Sequence, residues 1–370
     1  MAIAALTGRN FSGRSARLRH WVGLPNDDHS EVRYTKTAYL GPDATSSLSG
    51  IAPTARTEIE LLSNDRVAYL NGVKLMGDLG FESCLDQNPF KLSGGEQAAL
   101  AIAAAVASRP KRIALDGCLE QLSAETRTAI LTYLGNADTE ILIADNRLAD
   151  WYQGKVEALS GPDSAPGIDE NQCPPVVNAQ AEIEFVDLCH AYVKNRFVFK
   201  NLNFKLKAGV HYLLKGPNGA GKTTLSKILS GLIRPTSGLI KINGEIVRPW
   251  LKPGKFASYH FQNPSLQLFS TTVREELRAG YNAGTAKYFG VDSILDSHPL
   301  DLPYVLRKRI ALVGCLTQPA MSMILDEPTL GQDDAYVNGI ERTLKSVSGF
   351  TISHSKKFDL FPTLEIKKNG

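Results

Sequence analysis

The stretch from Gly216 to Thr224 reads Gly-Pro-Asn-Gly-Ala-Gly-Lys-Thr-Thr, and it constrains the fold of this chain more than any other feature. Glycines at this spacing, followed by Lys-Thr, form a phosphate-binding loop where a strand ends and a helix begins, because the backbone N–H groups then converge on phosphate oxygens. An apolar run precedes the loop and a helical pattern starts near Lys222. The loop therefore predicts an α/β fold with a parallel sheet.

The residues of this phosphate loop have separate predicted roles. Lys222 is expected to reach the β and γ phosphates of ATP, and the Thr223 hydroxyl is expected to bind Mg²⁺. The other loop positions predicted to hold the nucleotide are Gly216, Asn218, Gly219, Gly221 and Thr224. A plain glycine-rich turn is the alternative, and the presence of every fixed position makes it improbable.

A second acidic motif lies at the end of the apolar run from Met323 to Leu325. Asp326 is predicted to hold the Mg²⁺ shell, and Glu327 to polarise the water that attacks the γ-phosphate. On its own, the pattern also fits a strand that ends in an acidic turn. Its place about 110 residues after the phosphate loop favours the catalytic interpretation.

The chain repeats itself at a distance of about 210 residues. The residue pairs that set this register are Gly8 with Gly216, Tyr39 with Tyr259, Leu92 with Leu302, Asp116 with Asp326 and Asp145 with His354. Both copies alternate strands with helical runs, and a segment rich in proline separates them. We predict one domain over 1–160, a linker over 161–180 and a second domain over 181–370.

Composition excludes several classes of protein. A net charge of +3 over 370 residues gives no argument for nucleic acid. The five cysteines are scattered, so neither a disulfide framework nor a zinc site is predicted. The longest apolar run, from Ala98 to Ala107, is too short for a membrane helix, and the first residues lack the pattern of a signal peptide. We therefore expect a reducing cytosol and no direct insertion into a membrane.

With these motifs the chain resembles the ATP-binding cassette (ABC) family over nearly its whole length. The resemblance implies two P-loop NTPase domains in tandem, the first shortened and degenerate. It also implies that Tyr192 stacks on adenine, that Gln262 contacts Mg²⁺ or its water, and that His354 donates a hydrogen bond to the γ-phosphate. Because a lone glutamine or histidine is usually structural, these roles depend on the register of the stronger motifs.

The first half has lost residues that catalysis requires. Arg14 stands at the position of the loop lysine and Gly117 at that of the glutamate, while Pro42 and Asp145 replace the glutamine and the histidine. Arginine keeps the charge but has a larger planar head. Nucleotide binding is therefore compatible with this half, whereas hydrolysis at its own loop is not expected.

The first half nevertheless contains Leu-Ser-Gly-Gly-Glu at 92–96, which we call the signature segment. Ser93 and Glu96 also fit a helix capping box, so a plain N-cap is the alternative. The family resemblance implies that the segment faces the γ-phosphate of an ATP held by the opposite domain. The residues expected to contact that nucleotide are Ser93, Gly94, Gly95 and Glu96.

The second half has Leu-Pro-Tyr-Val-Leu at the corresponding place, 302–306. Pro303 offers neither a hydroxyl nor an amide hydrogen, and Tyr304 and Val305 add bulk where the backbone should approach closely. This segment is not expected to act as a signature. The two halves together predict one competent composite ATP site.

Residues 261–277 are similar to the corresponding region of the energy-coupling-factor and cobalt-type importer ATPases. That resemblance implies a peripheral ATPase on the cytoplasmic face of the membrane, with transmembrane transport subunits and a membrane substrate-binding component as partners. It implies no nucleic acid, and a homodimer is compatible with it. Two alternatives stay open: a soluble ABC ATPase acting on the ribosome or nucleic acid, and a nucleotide-binding interaction protein without turnover.

Overall fold

The computed structural model describes residues 3–8, 14–23, 37–145, 148, 151–159, 168, 174–175, 177–193, 196–217, 219–345, 347–353 and 355–367. The chain divides into two compact units, Met1–Ala165 and Pro166–Gly370. Each unit has hydrophobic core clusters of its own. Among the described residues, no helix has the length and apolar character needed to cross a membrane.

The first unit is built on a parallel sheet. Its strands are β1 (Ala4–Gly8), β2 (Thr37–Leu40), β3 (Arg112–Asp116), β4 (Glu140–Ala144) and β5 (Val156–Leu159). Their order in the sheet is β2-β3-β4-β1-β5. The helices are α1 (Arg14–Trp21), α2 (Ala55–Leu62), α3 (Arg66–Asp78), α4 (Gly94–Ala107) and α5 (Ala124–Gly135).

The second unit contains an antiparallel and a parallel sheet. Its strands are β6 (Ile183–Val193), β7 (Arg196–Leu206), β8 (His211–Lys215), β9 (Ser237–Ile242), β10 (Glu245–Val247), β11 (Ser258–His260), β12 (Met323–Asp326), β13 (Gly349–Ile352) and β14 (Thr363–Glu365). The antiparallel order is β10-β9-β6-β7 and the parallel order is β11-β12-β13-β8-β14. The helices are α6 (Lys222–Leu229), α7 (Val273–Glu276), α8 (Ala283–Tyr288), α9 (Tyr304–Thr317) and α10 (Asp334–Leu344).

The parallel sheets of the two units share their strand order and their register. Tyr39 lies opposite Ala114 in the first sheet, and Tyr259 lies opposite Ile324 in the second. The acidic ends agree as well: Asp116 pairs with Ala144 and Asp326 with Ile352. The predicted parallel α/β fold is confirmed, and the alignment of the two halves by sequence agrees with their backbone pairing.

Helix α4 shows why the alanine-rich run of the sequence is a core element. Ten of its residues are buried, including every alanine from Ala98 to Ala105. It packs against α2 and α3, and small side chains permit this close approach. At Gly72 of α3, an added Cβ would lie 3.1 Å from the backbone oxygen of Ala103. The run is therefore a buried helix of the first unit, as its length predicts.

Candidate nucleotide site

The phosphate loop of the second unit joins β8 to α6, which is the strand-to-helix context that the sequence predicts. Gly219 and Gly221 have φ angles of 77° and 96°, which are accessible mainly to glycine. A Cβ at Gly221 would lie 2.6 Å from Cγ1 of Val198. Both glycines are therefore required by backbone conformation, and Gly221 also by its contact with β7. Asn218 lies outside the described residues.

Lys222 places its ammonium group over this loop. Its Nζ donates hydrogen bonds to the main-chain oxygens of Gly216 at 2.7 Å and Pro217 at 3.2 Å. Burial lowers the pKa of Lys222, while the negative charges of Glu327 and Asp326 act in the opposite direction. The lysine thus holds its charge at the loop, within electrostatic reach of the two carboxylates, where a cation can stabilise phosphate charge.

Thr223 and Asp326 come together as the metal prediction requires. The Thr223 hydroxyl donates to Oδ2 of Asp326 at 3.1 Å. Burial raises the pKa of Asp326, and hydrogen bonds from Tyr259 and Thr223 oppose that rise. One hydroxyl and one carboxylate suit Mg²⁺, which commonly binds one or two protein oxygens together with substrate phosphates and water. The described residues contain no cluster of three or more acidic, histidine or cysteine ligands, so a metal cage made by protein alone is not seen in them.

Glu327 directly follows this aspartate and is 6% exposed. Its φ angle is 45°, in the left-handed region that is unfavourable for residues other than glycine. Its N–H donates to the main-chain oxygen of Ile352 at 2.8 Å. Backbone strain at a buried acidic residue is common at functional sites, which supports the predicted role of Glu327.

Tyr192 lies beside the first turn of α6. Its hydroxyl shares a hydrogen bond with Oγ1 of Thr224 over 3.2 Å, and its side chain is largely exposed. The edge-to-face contact with His190, at 4.7 Å between ring centres, packs the ring against β6. An exposed aromatic ring next to the phosphate loop is compatible with the predicted stacking on adenine.

Gln262 follows β11, the strand adjacent to the one that ends in Asp326. The main-chain oxygen of Gln262 accepts a hydrogen bond from the Tyr304 hydroxyl at 3.4 Å. The structure therefore places this glutamine one strand away from the acidic turn, and its contact with Mg²⁺ stays a prediction. His354 lies outside the described residues.

In the first unit, the signature segment begins α4. Oγ of Ser93 accepts a hydrogen bond from the N–H of Glu96 at 3.4 Å, and the N–H of Ser93 donates to Oε2 of Glu96 at 2.7 Å. This reciprocal pair is the capping box that the sequence predicts. Gly94 and Gly95 form the first turn, where N–H groups lack partners inside the helix. The proposed contact with a γ-phosphate stays a prediction.

The corresponding helix of the second unit, α9, begins without a side-chain cap, because Pro303 occupies the N-cap position. Tyr304 is 8% exposed, and its contact with Gln262 ties it to its own unit. The side chain of Gln332 donates to the main-chain oxygen of Val305 at 3.0 Å. Bulky residues and local contacts thus fill the place that glycines hold in α4.

Two further residues contact the acidic end of β12 and belong to none of the sequence motifs. The Tyr259 hydroxyl donates to Oδ2 of Asp326 at 3.0 Å, and in the first unit Tyr39 makes the same contact with Asp116 at 2.6 Å. The occurrence of a tyrosine at both Tyr39 and Tyr259 in the sequence repeat is the sequence signal for this tyrosine–aspartate contact. The ammonium of Lys308, in α9, donates a hydrogen bond to the main-chain oxygen of Glu327. The sequence signal for this contact is a lysine within an otherwise apolar helix pattern.

Comparison with known protein families gives a match to the model described as "ABC transporter" over residues 199–330. An energy-coupling factor transporter ATP-binding protein, EcfA1 of Methanospirillum hungatei, is 32% identical over 191 residues, which cover 47% of this chain and 69% of that protein. An uncharacterised ABC transporter ATP-binding protein of Mycobacterium tuberculosis is 28% identical over 301 residues, or 74% of this chain. The match spans 43% of the length of that relative.

Solved structures with a similar fold include one titled "Model of ribosome-bound archaeal Pelota and ABCE1". It matches 98% of this chain and 72% of the other, with a TM-score of 0.72 and 17% identity. A structure titled "RNase-L Inhibitor" matches 98% of this chain and 83% of the other, with a TM-score of 0.60 and 16% identity. At these identities the likeness concerns the fold alone.

Proposed function

This chain belongs to the ABC transporter ATPase family, and we propose that it is the ATP-hydrolysing subunit of an importer of the energy-coupling-factor type. The observation that carries the proposal is the grouping of Lys222, Thr223, Asp326 and Glu327 around one phosphate loop. The likeness to the archaeal EcfA1 protein supports the importer class. Membrane subunits and a membrane substrate-binding component are the proposed partners, on the cytoplasmic face.

Hydrolysis in this proposal is a matter of position and charge. The loop N–H groups and Lys222 bind the β and γ phosphates, and Glu327 orients the attacking water and accepts its proton. Mg²⁺, when bound, supplies positive charge to the phosphate oxygens, and Thr223 and Asp326 would hold it. Tyr259 keeps the Asp326 carboxylate in one orientation through its hydroxyl.

The signature segment supplies the remaining donors in this proposal. Ser93 and the N–H groups of Gly94 and Gly95 would bind the γ-phosphate of an ATP held by a second-unit loop, in the same chain or in another copy. The complementary losses support this assignment, because the second unit has Pro303 and Tyr304 at its own corresponding place. One type of competent site is therefore expected.

The surface after Gln262 is suited to a partner. Leu266 and Phe269 are 62% and 82% exposed, although both are large apolar residues. Contiguous patches of exposed apolar residues mark protein–protein contact sites more often than single exposed residues do. In our proposal this surface meets the transmembrane subunit and reports its state to the glutamine.

Action on the ribosome is the second candidate, because two of the solved structures with a similar fold have titles that concern the ribosome or its stalk protein. Those proteins are 15–17% identical to this chain, so they support a fold and not a partner. The importer class is favoured by relatives of higher identity.

The deciding experiment identifies what the chain accompanies in its own host. A tagged copy with Glu327→Gln, which should bind ATP without releasing phosphate, is isolated with ATP and Mg²⁺ after mild cross-linking. Recovery of integral membrane proteins, with the same recovery lost in Leu266→Asp and Phe269→Asp, would support the importer. Recovery of ribosomal subunits alone would contradict it and favour the second candidate.

The enzymatic part is tested separately by Mg²⁺-dependent phosphate release from the purified wild-type chain, with and without the recovered partner. The Lys222→Ala variant is the negative control, since it removes the phosphate-binding cation. Nucleotide binding without any release in both conditions would indicate an interaction protein instead of an ATPase.

A further inference from the structure

Lys308 is a buried cation that the predicted mechanism does not use. It lies in α9 with 0% exposure, and its ammonium donates a hydrogen bond to the main-chain oxygen of Glu327. The Nζ atom lies 6.0 Å from the centre of the Tyr304 ring. Burial of an ammonium group is costly unless hydrogen bonds and charges compensate it. A residue with this cost is expected to contribute something specific.

The first unit shows that the fold does not require a lysine at this place. Helices α4 and α9 both have 14 residues, and the register that aligns Leu92 with Leu302 places Ala98 where the second unit has Lys308. Ala98 is 1% exposed. A small apolar residue is thus sufficient for packing a helix of this type against its sheet.

The two units also differ in the turn that Lys308 contacts. Gly117 has a φ angle of 66° and Glu327 one of 45°, and each N–H donates to the neighbouring strand at 2.8 Å. Glycine adopts this left-handed conformation readily, whereas glutamate is strained in it. The turn that contains Gly117 therefore occurs with Ala98 in the corresponding helix. The turn that contains Glu327 occurs with Lys308.

We propose that Lys308 is a positioning residue for the hydrolysis reaction: its hydrogen bond to the Glu327 carbonyl holds the left-handed backbone from which the Glu327 carboxylate extends. Asp326, the last residue of β12, directly precedes this turn. This inference rests on the proposed ATPase function for its kinetic consequence. The energetic coupling between Lys308 and the Glu327 turn is a property of the folded chain, so it can be measured by unfolding without ATP hydrolysis.

The kinetic test compares two substitutions of nearly equal length. Lys308→Met removes the hydrogen bond, and Lys308→Gln keeps a side-chain N–H donor. We expect Lys308→Met to lower kcat by about 10²-fold, because small misplacements of a catalytic group have effects of this order. The KM for ATP should change by less than roughly threefold, since the hydrogen bond that is removed goes to the Glu327 backbone and not to a residue proposed to bind the phosphates. Lys308→Gln should recover most of kcat.

The control is Lys287→Met, at an exposed lysine of α8. It should leave kcat unchanged. Equal losses of kcat in Lys308→Gln and Lys308→Met, or no loss in a folded Lys308→Met, would overturn the proposal. A loss that affected KM as strongly as kcat would also count against it, because it would indicate general damage to the site.

Thermal unfolding gives the second readout. The decrease in Tm caused by Lys308→Met should be reduced by roughly half in the Glu327→Gly background, because glycine does not need the hydrogen bond to hold the turn. If Lys308→Met fails to fold, Lys308→Ala with Glu327→Gly should still fold, because it reproduces the pair Ala98 and Gly117. Full additivity, or failure of that pair to fold, contradicts the proposal.

These outcomes separate the two proposals. If the Tm changes of Lys308→Met and Glu327→Gly are not additive but the wild type releases no phosphate, the ATPase function is contradicted and the structural role of Lys308 is supported. Normal phosphate release without coupling, and without a selective loss of kcat, would sink the role of Lys308 and leave the ATPase function intact.

Discussion

The ends of strands β3 and β12 have the same backbone and different chemistry. Both strands finish in an aspartate that accepts a hydrogen bond from a tyrosine, and both continue into a left-handed residue. In the first unit that residue is Gly117 and in the second it is Glu327. The comparison teaches that the tyrosine–aspartate contact and the left-handed turn recur in both units, while the second unit has a glutamate in that turn at a cost in backbone strain.

Helices α4 and α9 show the opposite distribution. The first unit has the capped, glycine-rich helix start, and the second has Pro303 without a side-chain cap. Each unit therefore has groups that the other lacks at the corresponding place. This division of parts can be tested by equivalent substitutions in the two units.

The largest difference is expected at the loop cations. Lys222→Ala should lower kcat/KM for ATP by about 10³-fold, because a charge aimed at the phosphates is lost. Arg14→Ala, at the equivalent place in the first unit, should change it by less than about threefold if only the second-unit loop hydrolyses ATP. Steady-state phosphate release measures kcat/KM for both variants. Equal losses would contradict the assignment of hydrolysis to the second-unit loop alone.

The next difference is expected at the helix starts. Ser93→Arg should reduce phosphate release by about 10²-fold, because it adds bulk and removes a hydroxyl donor to the γ-phosphate. ATP binding at the second-unit loop should persist. Pro303→Arg should have less than about a twofold effect on release, since that segment has no role in the proposed site. A full rate in a folded Ser93→Arg variant would remove the signature segment from the mechanism.

The tyrosine pair should give a smaller difference. Tyr259→Phe removes a hydrogen bond to Asp326 and should lower kcat about tenfold by freeing the carboxylate that is proposed to hold Mg²⁺. Tyr39→Phe should leave kcat unchanged. Both variants should lose stability by about 1 kcal/mol, because each leaves a buried carboxylate with one donor fewer. Denaturant unfolding followed by kinetics at several Mg²⁺ concentrations distinguishes the two effects.

The smallest effects concern the turn itself. Gly117→Ala should lower the stability of the first unit by about 1 kcal/mol, and Glu327→Gly should raise that of the second by a similar amount. Such changes correspond to shifts in Tm of about 2–4 °C in opposite directions. Calorimetry with separate transitions for the two units would detect them. Shifts in Tm of the same sign for Gly117→Ala and Glu327→Gly would show that the left-handed backbone at Glu327 does not destabilise the second unit.

The fold and the phosphate loop could be predicted because they depend on local patterns. The spacing of the glycines before Lys222 restricts one short stretch of backbone. The apolar strand before Asp326 restricts another. The repeat then gave the register of Tyr259 and Asp326, although it did not say that their side chains meet. That contact depends on the pleat of two neighbouring strands and on which face each side chain occupies.

Lys308 could not be assigned in the same way. Three basic residues are consecutive in α9, at 307–309, and a helix distributes consecutive residues around its axis. Arg307 bonds to Ser265, Arg309 is buried beside Gln332, and Lys308 reaches the acidic turn. The sequence alone does not separate these environments, because they depend on how α9 is rotated against β11 and β12.

The cap of α4 has a consequence for the direction of hydrogen bonding. Because Oγ of Ser93 accepts from the N–H of Glu96, the hydrogen of that hydroxyl cannot be shared with the same amide. One lone pair of the serine oxygen is thereby occupied, while its O–H is left to donate outward, which suits an anionic ligand. The capping bond thus orients the serine oxygen before any ligand binds and leaves its hydrogen for an acceptor.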